Sequence, residues 1–130
     1  MTGYVPPRIL VVDDSRMVRA SIIKHLRGHY EIREEADGEA AWQSLVLDLS
    51  IVAVISDIQM PKLDGREATR QIRCLPGGSS VPIMAMTADA FDEDRQLCME
   101  AGMDDFMTKP LDPDELYTKL LHWLSAPPKP

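Results

Sequence analysis

The stretch "ILVVDDS", residues 9–15, decides how this chain folds. Ile9, Leu10, Val11 and Val12 form an unbroken aliphatic run, without the apolar–polar alternation of a half-exposed strand. Such a run suits a strand covered on both faces, as in a parallel sheet with helices on either side. Asp13 and Asp14 follow at once, so two like charges stand where a buried strand ends. A helical pattern begins directly after them. Val18, Ile22 and Leu26 recur at every fourth residue across Ser15–Arg27, behind a carboxylate or hydroxyl suited to an N-cap.

The same alternation continues outward. Strands are predicted over Tyr30–Glu35, Ile51–Ser56, Val81–Met86 and Asp105–Met107. Helices are predicted over Glu39–Leu47 after the turn Asp37-Gly38, Arg66–Leu75 before Pro76-Gly77-Gly78, and Ala90–Ala101 before Gly102. A last helix starts at Asp112 as cap with Pro113 in its first turn, and would turn Leu116, Leu120, Trp123 and Leu124 toward the sheet. Tyr30–Glu35 sets Glu31 and Arg33 against Tyr30 and Ile32, a charged pattern that suits an edge strand. Right-handed crossovers between strand–helix units, with the second strand at an edge, imply an α/β fold: a flavodoxin-like, doubly wound (βα)5 with a parallel sheet in the order 2-1-3-4-5.

The 130 residues, 45% of them hydrophobic, fit one domain over 8–124. Residues 1–7 read as an arm and the Pro-rich 125–130 as a tail or linker, which leaves open a free-standing chain, the N-terminal domain of a longer protein or a piece of one. The two cysteines, Cys74 and Cys98, form no CxxC pair and read as small, buried or half-buried apolar residues. No aliphatic run is long enough for a bilayer and the N-terminus has no signal core, so a cytoplasmic setting is expected. The net charge of −7 and a pI near 4.8 speak against direct nucleic-acid binding.

In a parallel sheet all strand C-termini lie on one side. Asp13 and Asp14 follow the first strand, Asp57 the third, Thr87 the fourth and Lys109 the fifth. Strands 1 and 3 are neighbours at the switch point of the order 2-1-3-4-5, where a crevice opens. One carboxylate pair at 4 Å costs about 4 kcal/mol at an effective dielectric near 20. Either some of these groups hold protons or a cation sits among them. An all-oxygen donor set favours Mg2+ over Zn2+. A metal, a lysine and a hydroxyl beside a carboxylate suit phosphoryl transfer, and Asp57 is the best placed nucleophile. Taken singly, the parts are ordinary. Asp13-Asp14-Ser15 would be an N-cap, Thr87 a strand-end hydroxyl, Lys109 a solvated charge and Phe106 a core ring. Met84, Met86 and Met107 read as core filler, and His25, His29 and His122 as exposed helix or turn residues.

Four stretches in order, "ILVVDDS", "VISDIQMPKLDG", "PIMAMTA" and "AGMDDFMTKPLDPDEL", resemble the receiver domains of two-component signalling over about Arg8 to Leu124. The resemblance implies that Asp57 accepts a phosphoryl group from a phosphohistidine on a histidine kinase or phosphotransfer protein. It implies Asp14 as a direct Mg2+ ligand, Asp13 acting mostly through water, and the backbone carbonyl of Gln59 as a third protein contribution. Thr87 becomes the switch hydroxyl, Lys109 the phosphate-pairing lysine, and Lys109–Pro110 a cis peptide. Phe106 stands at the aromatic switch position, where relatives often carry Tyr, and so lacks the phenolic hydroxyl. The resemblance also implies that Gln59 and Asp89 flank the path of an attacking water, positions that tune the phosphate lifetime in the family. A longer parent protein would then be a regulator or a hybrid kinase. The face of the fourth helix, fifth strand and fifth helix would then bind an output domain, a partner or a second copy. Two alternatives remain: a phosphate-independent binding module, and a small phosphatase with an aspartate nucleophile. Against the phosphatase, Gln59 stands where a second carboxylate is usual, and no cap segment exists.

Overall fold

The run Arg8–Val12 is β1, the second strand from one edge of a five-stranded parallel sheet ordered β2-β1-β3-β4-β5. The computed structural model describes residues 7–26, 28–48, 50–57, 65–74, 81–87, 92–109 and 111–125. The other strands are β2 (Glu31–Glu35), β3 (Ile51–Asp57), β4 (Ile83–Thr87) and β5 (Asp105–Thr108). Between and after them run α1 (Arg16–Leu26), α2 (Gly38–Leu47), α3 (Gly65–Arg73), α4 (Asp92–Glu100) and α5 (Pro113–Ser125). The predicted order of strands is the observed one. Val81 and Pro82 precede β4 instead of forming it, and α5 runs one residue past the expected domain edge at 124.

Period-two alternation sends each strand's side chains into two cores. Ile9 and Val11 pack with Ile22 and Leu26 of α1 and Leu116 and Leu120 of α5. Leu10 and Val12 pack with Ala41 of α2, Ile72 of α3 and Cys98 of α4. β1, β3 and β4 are therefore covered on both faces, which is why their sequences are apolar throughout. β2 has a covered neighbour on one side only, so it keeps Glu31 and Glu34 exposed.

Local chemistry ends each element. Ser15 Oγ accepts from the Val18 N–H at 3.3 Å and caps α1, and Asp37 caps α2 by accepting from the Ala40 N–H at 2.8 Å. Asp112 accepts from the Asp114 N–H at 3.1 Å at the start of α5. α4 ends as predicted at Gly102, whose φ is +104°. There Met103 N–H donates to Cys98 O and Gly102 N–H to Met99 O, at 3.1 and 3.0 Å, a Schellman closure.

Arg73 pins this corner. Its guanidinium donates to Gly102 O, Val81 O and Asp104 Oδ2, while Asp104 Oδ2 also accepts from the Ile83 N–H. The end of α3 is thus fixed to the turns that launch β4 and β5.

Met84, Met86 and Met107 lie in the core as expected, but Met17 and Met99 are exposed. Cys98 is buried, whereas Cys74, one residue beyond α3, is exposed. His29 and His122 are exposed and His25 is half-buried.

Candidate active site

β1 delivers Asp13 to the end of the sheet with no freedom left. The residue is fully buried, and its N–H continues the ladder by donating to Glu35 O at 3.2 Å. Its Oδ1 accepts from the Ser15 N–H at 2.7 Å, a turn that also starts α1. Asp14, next along the chain, is exposed. Asp57 is the last residue of β3 and Thr87 the last of β4, at 6% and 3% exposure. Ser56 Oγ donates to Asp57 O at 2.9 Å and helps fix the strand end. Lys109 follows β5, and its N–H donates to Thr87 O at 2.8 Å, tying the last two strand ends together.

The side chains converge as the strand order requires. Oxygens of Asp13, Asp14 and Asp57 lie within 4.8 Å of one another. The Lys109 ammonium stands 2.8 Å from Asp13 Oδ2 and 3.3 Å from Asp57 Oδ2. Burial pushes this lysine's pKa down, but the Asp13 contact and the charges of Asp57 and Asp13 outweigh it and hold the pKa above its usual value. Among the described residues, three carboxylates and one ammonium, formally −3 and +1, leave −2 in the crevice. Asp13 Oδ2 is buried and, apart from that ion pair, has no hydrogen bond of ordinary geometry among the described residues. Excess negative charge, an all-oxygen donor set and an under-satisfied buried oxygen fit a hard divalent cation better than a proton or a soft metal.

Phe106 lies on β5, its backbone paired with Ala85 while Thr108 pairs with Thr87. Alternation therefore places Phe106 and Thr87 on the same face of the sheet, two register positions apart. The ring is 5% exposed and the Arg95 guanidinium of α4 stands 5.2 Å from its centroid. Lys119 of α5 donates to Asp105 Oδ1 and Phe106 O, and Trp123 Nε1 donates to Asp105 Oδ2, at 2.7, 3.0 and 2.8 Å. Burial alone would raise the Asp105 carboxyl, but Lys119 and Trp123 hold it below the usual carboxylate range.

The structure brings Asp13, Asp14 and Asp57 together with Lys109 at one end of the sheet, sets Thr87 at the end of β4, and puts Phe106 on the Thr87 face. Gln59, Asp89 and Pro110, and with Pro110 the predicted cis peptide, lie outside the described residues. Sequence reading missed Arg19, whose Nη1 donates to the Asp13 main-chain oxygen. The only available signal was a basic residue on α1 beside the apolar stripe, one turn past the Ser15 cap.

Known proteins are similar to this chain in sequence and fold. The family model described as the response regulator receiver domain matches residues 9–121. Response regulator MprA of Mycolicibacterium vanbaalenii is 38% identical over 117 residues, 89% of this chain and 49% of that protein. The chain therefore spans about half the length of the MprA relatives it matches. Among solved structures, the receiver domain of the sensor histidine kinase PA1611 from Pseudomonas aeruginosa is 36% identical, with a TM-score of 0.86 over 94% of this chain and 100% of that one. That structure is described as having a magnesium ion coordinated in its active site cleft. The chemotaxis protein CheY4 of Vibrio cholerae is 27% identical, with a TM-score of 0.84 over 91% and 98% of the two chains. By sequence, by strand order and by the acidic crevice at the strand ends, this chain belongs to the family of response regulator receiver domains of two-component signalling.

Proposed function

We propose that Asp57 is the phospho-acceptor and that Asp13, Asp14 and Asp57, with the backbone carbonyl of Gln59, hold a Mg2+ ion. The observation that carries this reading is the Lys109 ammonium facing Asp57 and Asp13 within a crevice of net negative charge. A carboxylate oxygen of Asp57 attacks the phosphorus of a phosphohistidine on a histidine kinase or phosphotransfer protein. The P–O bond forms as the P–N bond breaks, and the imidazole leaves with its electron pair. When bound, Mg2+ neutralises phosphoryl oxygens and so lets two anions approach. Lys109 pairs with another of those oxygens, and the Thr87 hydroxyl donates to a third. Drawing Thr87 toward the phosphate changes the packing around Phe106, which is already buried on the same face of the sheet. The change is read on the surface of α4, β5 and α5, where Leu97, Met99 and Leu121 are exposed. Gln59 and Asp89 set how soon water removes the phosphate.

The partner at that surface is an output domain or a second copy, and the setting is the cytoplasm. Among the described residues no helix is long and apolar enough to cross a membrane. The test is treatment with a small phosphodonor and Mg2+, followed by intact-mass and peptide mapping. A single phosphate adduct at Asp57, lost in Asp57→Ala and in EDTA, is expected. An adduct that survives Asp57→Ala sinks the assignment.

A further inference from the structure

We propose that Arg19 is a positioning residue for the acidic crevice, setting the direction from which the Asp14 carboxylate meets a bound divalent cation. The inference rests on the reading of Asp13, Asp14 and Asp57 as the Mg2+ site. Arg19 sits in the second turn of α1, yet its side chain is only 15% exposed. It turns back along its own helix instead of extending into water. Nη1 donates to the main-chain oxygen of Asp13, and Nε to Glu34 Oε1 of β2 at 3.1 Å. Long basic side chains on helices ordinarily keep their heads solvated. A guanidinium held by a main-chain carbonyl and a carboxylate on a neighbouring strand has given up that freedom for a fixed geometry.

What it fixes follows from the peptide group. Asp13 has each polar atom engaged: N–H by Glu35 O, carbonyl by Arg19, Oδ1 by the Ser15 N–H and Oδ2 by Lys109. Asp14 differs. Its exposed carboxylate makes no hydrogen bond or ion pair among the described residues. Its aim therefore depends on the backbone that carries it. The Asp13–Asp14 peptide is planar, so holding the Asp13 oxygen also orients the N–H and Cα of Asp14. Arg19 thereby acts on Asp14 through one rigid plane, while Glu34 holds Arg19 in place.

Charge and position predict opposite outcomes. Arg19 is itself a cation near a cation site, so by Coulomb's law alone its removal would tighten Mg2+ binding. If it positions Asp14, its removal weakens binding. Calorimetric titration of the 130-residue chain with Mg2+ alone separates the two. Urea midpoints in EDTA establish that each variant is folded. Arg19→Met is expected to raise the Mg2+ dissociation constant about tenfold, the scale on which loss of a group orienting a metal ligand is felt. Arg19→Lys keeps the charge but cannot reproduce the two-armed fork, and is expected to weaken binding several-fold as well. Unchanged or tighter binding in Arg19→Met overturns the proposal. Should that variant fail to fold, Arg19→Lys decides, and wild-type affinity there overturns it. A wild-type protein with no Mg2+ affinity overturns the metal reading and this assignment with it. Normal wild-type affinity with indifferent Arg19 variants overturns this assignment alone.

Discussion

Asp14 and Asp13 are adjacent in sequence and opposite in circumstance. Asp13 is buried and held through its main chain, Oδ1 and the Lys109 ion pair, whereas Asp14 is exposed and adds negative charge to a crevice that, among the described residues, already holds more carboxylates than cations. In water-like surroundings each carboxylate pair near 4 Å costs about 1 kcal/mol. Asp14→Asn is therefore expected to raise the urea midpoint in EDTA. The same change is expected to abolish the stabilisation that Mg2+ gives the wild type, since a cation that binds only the folded state adds stability by mass action. Unfolding curves in EDTA and in Mg2+ check both halves. A variant less stable than wild type in EDTA would mean that Asp14 is stabilising and not strained by its neighbours.

At the scale of elements, two junctions set the fold's tolerance to change. Gly102 ends α4 at φ +104°, and a Cβ there would come within 3.1 Å of Arg73 Cγ. Gly102→Ala is expected to lose about 1–2 kcal/mol for the left-handed conformation, and the Arg73 stem has to give by a few tenths of an ångström to admit the methyl group. Urea denaturation measures it. The second junction joins α2 to β1 and β3. Asp48 Oδ1 accepts from the Ser50 hydroxyl, and Oδ2 from Arg8 Nη1 at 2.8 Å. The Ser50 hydroxyl first, then Arg8 against the opposing effect of burial, hold the Asp48 carboxyl at about 2 instead of 3.8. The unfolded chain thus binds this proton first. Asp48 contributes full stability above pH 3.8, and the contribution disappears as pH falls toward about 2. Across that window the wild type is expected to lose stability faster than Asp48→Asn. Parallel pH profiles of the two urea midpoints would exclude the effect.

At the scale of the molecule, strand order and site were legible for one shared reason. A strand buried on both faces must be apolar throughout, so Ile9–Val12 and Ile51–Ile55 declare themselves, and whatever follows them must lie at one end of a parallel sheet. The charged β2 marked its own edge. What sequence did not show depends on long side chains crossing between distant stretches. Arg73 meets Asp104 31 residues on, and Lys119 meets Asp105 14 residues back. Arg19 finds a main-chain oxygen, an acceptor every residue offers. No periodicity encodes such contacts, because rotamer and packing choose among many equivalent partners.

The same layering separates the two tryptophans. Trp42 packs into the core beneath α2, α3 and α4, and Trp123 into the core beneath α1 and α5. Only Trp123 has its ring nitrogen on a carboxylate, that of Asp105, one residue before Phe106. Replacing Trp42 by Phe leaves a single indole, excited selectively over the three tyrosines and wired to that strand, a native optical gauge of the aromatic ring's movements. Its emission is expected to shift when phosphodonor and Mg2+ are added, and to stay still when Asp57 is also Ala. An identical shift in both proteins would show that the indole senses only the added ions.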